Sequence, residues 1–170
     1  MARMSGLKQP EIVFEHDDFE CVSLDDELRV DERCRELLKG FYLNLVKSGM
    51  TPQEASELAF SADLYLRDYI VDFARRNVVR PQPGIVRRFA ATWFITHTLD
   101  PKMRILERHL DGVRELYRYL YGQRLISGEE LDFLENEAAQ TDYYRRRIES
   151  FIAIVGDGYF AWEAECPLRD

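Results

Sequence analysis

The chain has 170 residues, 46% hydrophobic and 32% charged, a size and balance that fit one domain with its own core. No apolar run nears the roughly 20 residues of a membrane span, and Met-Ala-Arg-Met-Ser-Gly at the start holds no apolar leader, so neither a membrane partner nor export is expected. Three widely spaced cysteines, Cys21, Cys34 and Cys166, suit a reduced, cytoplasmic protein and exclude a disulfide framework.

In chain order, residues 1–30 form an acidic N-terminal segment, 31–156 a helical bundle and 157–170 an aromatic, acidic tail. Ile12-Val13-Phe14 lies in a stretch poor in helix caps and reads as a short strand or a loosely docked tail. The first helix is predicted over 31–48 and ends at Gly49. Thr51-Pro52-Gln53-Glu54 then opens a helix over 52–77. Thr51 caps the first amides, Pro52 sits where its missing N–H costs nothing, and Glu54 completes a capping box. Ala55, Leu58, Ala59, Ala62, Leu66, Tyr69, Ile70 and Phe73 follow at helical spacing.

Pro81, Pro83 and Gly84 mark residues 78–84 as a loop. The helix predicted over 85–98 carries no acid, has Arg87 and Arg88 near its start, and is apolar on several sides. It reads as the central, most buried helix rather than one lying on a membrane surface. Asp100-Pro101 is read as the start of a helix over 101–121, with Asp as cap. Ser127-Gly128-Glu129-Glu130 starts another over 128–155, which breaks near Thr141-Asp142 where the apolar stripe shifts. Tyr159-Phe160-Ala161-Trp162 follows two glycines and is read as a strand, paired with Ile12–Phe14, or as a tail. The fold expected is all-α, a single-domain bundle of five or six helices.

The net charge of −8 conceals segregation. Residues 75–124 carry eleven basic side chains against four acids, while residues 1–36 and 125–170 each carry eleven acids against five and four bases. Either the acidic ends pair with the basic centre, or the centre is a cationic face for phosphates. Arg104/Arg108 and Arg114/Arg118 repeat at i,i+4, with Glu107, Asp111 and Glu115 interleaved. Arg145-Arg146-Arg147 has Asp142 and Glu149 at pairing distance along a helix.

Little else suggests chemistry. His16, His97 and His109 are not spaced for zinc or a di-iron bundle, and the nine glycines form no phosphate loop. Glu15-His16-Asp17-Asp18 reads as a solvated acidic run, His97 as a packed histidine and Cys34 as a structural thiol. No catalytic residue, metal site or cofactor is expected.

Phe41-Tyr42-Leu43, then Gly49-Met50-Thr51-Pro52-Gln53-Glu54-Ala55 running on through Leu66-Arg67-Asp68-Tyr69-Ile70, resembles the opening of the core-binding domain of tyrosine recombinases and phage integrases. Met103-Arg104-Ile105-Leu106-Glu107-Arg108, continuing to Tyr121 and followed by Gly122-Gln123-Arg124-Leu125-Ile126, is similar to that domain's last helix. The resemblance spans about residues 37–126 and rests on helical pattern. It implies a small helical bundle gripping duplex DNA through Thr51, Arg75, Arg76, Arg87, Arg88, Arg104 and Arg108. The recombinase catalytic domain and its His-x-x-Arg are missing, so strand cleavage is not implied. Two expectations follow: a non-enzymatic DNA-binding module, or a protein-interaction or regulatory bundle that meets a partner or another copy through Tyr159, Phe160 and Trp162.

Overall fold

The structure, a computed structural model, describes residues 12–169. After a single 3₁₀ turn at His16–Phe19 come α1 (Leu24–Lys47), α2 (residues 52–74), α3 (residues 85–96), α4 (Met103–Gly122), α5 (Gly128–Ala138), α6 (Thr141–Ile152) and α7 (Tyr159–Ala164). No strand occurs among the described residues, so the all-α expectation holds. The strand expected at Tyr159–Trp162 is instead the start of α7, and Ile12–Phe14 is irregular chain with no strand partner.

Helix α1 begins seven residues before the expected position 31, so the boundary placed at 30/31 falls inside it. Ser23 accepts from the Asp26 N–H at 3.3 Å, and the Asp26 carboxylate accepts from the Ser23 and Val22 amides at 3.0 and 2.9 Å. These amides hold the Asp26 carboxyl at about 2, well below the carboxylate range. Asp thus completes the box that Glu completes elsewhere. The chain leaves α1 through Gly49 at φ +106°, with the Met50 N–H returning to the Leu45 carbonyl. Thr51 and Glu54 form the anticipated box at the start of α2. The two helices run antiparallel, tied by Arg67 to Asp31 (3.3 Å) and by Arg75 to Glu27.

Helix α2 is α-helical over Pro52–Asp63 and π-helical over Leu64–Ala74, and it ends three residues short of position 77. Arg75 turns left-handed at φ 54°, and the Arg76 N–H closes on the Ile70 carbonyl. Helix α3 has a π-helical centre too, Phe89–Trp93, and every residue from Phe89 to Ile95 is buried. The two π segments interleave rings: Tyr65 and Tyr69 against Phe89 at 5.0 and 5.3 Å, Tyr69 and Phe73 against Trp93 at 5.5 and 6.5 Å. Aromatic pairs at such spacing add to simple area burial. The Tyr65 and Tyr117 hydroxyls meet at 2.6 Å and satisfy one another where water is excluded. The loop before α3 is anchored, with Val78, Val79 and Pro81 buried.

Helix α4 starts at Met103, with Lys102 at the cap position and no side-chain cap, so Asp100 does not play the role its dipeptide suggests. Asp100 pairs with Lys102 instead. Along α4, Gly112 meets α2 so closely that a Cβ there would lie 2.6 Å from Ser61 Cβ and 2.9 Å from the Leu58 carbonyl oxygen. Ser127 and Glu130 cap α5 as expected. The break between α5 and α6 falls at Ala139-Gln140, close to the shift in the apolar stripe.

Candidate functional site

The segregated charges fold back on one another. From the acidic N-terminal segment, Asp17 and Glu20 pair with Arg80 at 3.0 and 2.9 Å, and Glu27 pairs with Arg75. From the acidic C-terminal third, Glu135 pairs with Arg118 at 2.6 Å. Arg29 adds donors to the Asp18 and Glu20 carbonyls, and Asn77 bonds the His16 carbonyl, so the 3₁₀ turn lies strapped to the loop after α2. His16 reaches the Leu125 carbonyl at 2.7 Å. These ion pairs are partly exposed and each contributes little to stability. Their effect is to offset three of the eleven basic side chains of the centre, Arg75, Arg80 and Arg118.

The residues implied by the recombinase resemblance fall in three places. Thr51 is engaged in capping α2, and Arg108, one turn after Arg104 on α4, lies beside Phe60 and Ser61. Arg75 and Arg76 stand at the far end of α2, about 20 Å from Phe60 at helical rise. Arg87 and the half-buried Arg88 lie at the start of α3, where Arg87 Nε donates to Gln140 at 3.1 Å. Arg75 is paired, whereas the side chains of Arg76, Arg104 and Arg108 make no hydrogen bond or ion pair among the described residues.

A buried carboxylate positions the start of α3. Glu137 on α5 accepts the Gly84 and Arg87 amides at 3.0 and 2.9 Å. It thus caps the helix from fifty residues away and faces the positive end of its dipole. Gly84 sits at φ +94° to make that approach. Tyr144 fixes the same turn, donating to the Glu137 carbonyl at 2.5 Å.

The C-terminal segment is locked in place by an arginine. Arg147 is 1% exposed, and its guanidinium donates to the Ala91 carbonyl (3.0 Å), the Trp162 carbonyl (2.6 Å), Thr92 Oγ1 (3.1 Å) and Glu165 (3.1 Å). Its carbon lies 3.8 Å above the Trp162 ring, a cation–π contact. Ala91 and Thr92 belong to the π-helical centre of α3, where an irregular ladder offers carbonyls to outside donors. Thr92 donates onward to the Cys166 carbonyl at 2.6 Å. Of the run Arg145–Arg147, Arg145 pairs with Glu107 and Arg146 lies over Tyr143, so the helical pairing with Asp142 and Glu149 does not form.

That lock separates the three aromatic residues expected at a partner surface. Trp162, 7% exposed, is turned inward and bonds the Arg147 carbonyl, so it supports the surface from beneath. Tyr159 and Phe160 are exposed, with ring centres 5.8 Å apart and Phe160 80% exposed. Val155, 87% exposed, and Ile152 extend the same stretch. Four exposed apolar side chains thus fall within nine residues of a segment that Arg147 and Trp162 anchor. Sequence reasoning did not assign Ile152 or Val155 to a surface: Ile152 is the last residue of α6, and Val155 lies three residues beyond it.

Among the described residues no group of acids, histidines and cysteines is arranged to hold a metal ion, and no helix is long and apolar enough to cross a membrane. No protein-family model, curated protein or solved structure matches the chain.

Proposed function

We propose that this chain is a non-enzymatic helical interaction module that meets a protein partner, in the first instance a second copy, through Ile152, Val155, Tyr159 and Phe160. The observation that carries the reading is the exposure of these four residues on a segment that Arg147 and Trp162 hold in one conformation. Apolar side chains scattered singly over a surface need no explanation, but four exposed within nine residues of an anchored segment suit a contact site. A preordered edge also loses less entropy on docking than a free tail would.

The test is sedimentation velocity from 1 to 200 µM for the native chain and for Val155→Ser/Phe160→Ser. Deleting 157–170 would remove the partners of Arg147 and unsettle the bundle, so point substitutions are the cleaner probe. Self-association that the double variant abolishes supports the reading. Identical monomeric behaviour of both proteins across the range contradicts it.

Duplex DNA is the second reading, favoured by Arg76, Arg104 and Arg108, whose side chains make no hydrogen bond or ion pair among the described residues, and in keeping with the recombinase resemblance. It calls for anisotropy of a labelled duplex at 50 and 200 mM salt. Phosphate contact requires binding that falls steeply with salt, with a shallower slope for Arg104→Ala/Arg108→Ala.

A further inference from the structure

A broad, largely apolar concavity lies elsewhere, between the first half of α2 and the start of α4, with a volume of about 790 Å³. Met50, Leu58 and Ile105 line it, and Phe60 stands at its border 66% exposed. Its floor is polar and buried: Ser61 Oγ and His109 Nδ1 meet at 2.9 Å. The other ring nitrogen of His109, Nε2, has no protein partner among the described residues and is not sealed away from the groove. A histidine more than nine-tenths buried thus presents one unused polar atom to the trough.

The rims differ in charge. Glu54 and Glu57, three residues apart on α2, place two carboxylates along one side. On α4 the rim carries Arg108 and Asp111, and Asp111 is within 4.0 Å of Arg114. One wall is therefore acidic, and the other offers a cation whose side chain makes no bond among the described residues. The stretch of α2 from Gln53 to Ser61 is about 12 Å long at helical rise, which matches two to three turns of a second helix.

We propose that this groove receives an amphipathic helix of a partner protein. Its apolar stripe packs on Met50, Leu58, Phe60 and Ile105. Basic residues run along the edge facing α2, an acidic residue lies opposite Arg108, and a polar side chain at the centre of the stripe bonds His109 Nε2. Complementary charge then sets the direction in which the helix lies, while the apolar stripe supplies the affinity. The inference stands apart from the C-terminal edge, since neither surface shares a residue with the other.

The test uses the full chain, isotope-labelled, titrated with a 14-residue helical peptide bearing Leu at i, i+3 and i+7, Gln at the central i+4, Lys along one edge and Glu on the other. A second peptide has Lys and Glu exchanged. Shifts confined to the Met50 and Ile105 methyls and the His109 ring are expected with the first peptide. Glu57→Lys should weaken its binding by ~10-fold, or ~1.4 kcal/mol, with Phe60→Ser weakening it too. The exchanged peptide should regain affinity for Glu57→Lys. Both variants alter exposed side chains, and thermal unfolding checks that they remain folded. Equal binding of the two peptides to the native chain, or no shift at these three residues, overturns the proposal. Concentration-dependent shifts of the same residues without peptide also overturn it, because a second copy then fills the groove. Phe60→Ser leaves the C-terminal edge intact, so failure here and failure of the proposed function give different results.

Discussion

Replacing Arg147 by Met removes a guanidinium and keeps most of its volume. Three buried acceptors lose a donor: the Ala91 and Trp162 carbonyls and Thr92 Oγ1, with Glu165 the fourth partner at the surface. Leaving a buried acceptor unsatisfied costs about 1–3 kcal/mol. Thr92 keeps its own bond to the Cys166 carbonyl, and Met is cheaper to bury than a charge, so the three costs do not add in full. The net expectation is about 3–5 kcal/mol, including the lost stacking on Trp162. For a domain this size that lowers Tm by about 10 °C. Urea unfolding followed by tryptophan fluorescence reads it directly, since Trp162 reports on the lock. Lys at 147 keeps the charge but cannot fork between Ala91, Thr92 and Trp162, so it should cost nearly as much as Met. Glu165→Gln should cost under ~1 kcal/mol, because that carboxylate is mostly exposed. An Arg147→Met protein within about 1 kcal/mol of the native chain would refute the reasoning.

Gly112→Ala should destabilise by about 1–3 kcal/mol despite alanine's better helix propensity, because the new methyl meets Ser61 and the Leu58 carbonyl; denaturant titration checks this. Burial depresses the pKa of His109, so the unfolded chain takes up its proton first. Stability is therefore full above the ordinary histidine value and declines as pH falls below about 6.5. Chemical denaturation between pH 7.5 and 5 should show that decline, reduced in His109→Gln. Burial also pushes the Cys34 thiol up to about 12, leaving little thiolate at neutral pH. Alkylation of the native protein at pH 8 should modify the half-buried Cys21 well before Cys34, as peptide mapping would show.

The parts of the fold that were readable in the sequence are those governed by neighbours in the chain. Thr51-Pro52-Gln53-Glu54 and Ser127-Gly128-Glu129-Glu130 start helices where expected because capping needs only four residues. Ser23 and Asp26 start one too, with the shorter acid, and were overlooked for that reason. Features made by distant residues were not legible. Glu137 caps α3 across fifty residues, and no local pattern announces it. The π-helical turns of α2 and α3 carry no separate signature, since their aromatic residues repeat at ordinary helical spacing. The same limit governs the candidate surface. Tyr159, Phe160 and Trp162 look alike in the sequence, and it is the placement of Arg147, Ser150 and Phe151 that turns Trp162 inward while its neighbours face out. Charge segregation was visible, but whether acids and bases meet depends on tertiary placement, as Arg80 with Asp17 and Glu20 demonstrates.

The most direct measurement of the central claim is amide hydrogen exchange of the native chain at 1 and 200 µM, read by peptide mass. A contact edge at 152–160 predicts slower exchange there at the higher concentration, with residues 75–76 and 104–108 unchanged. Equal exchange of 152–160 at both concentrations would contradict a self-associating edge.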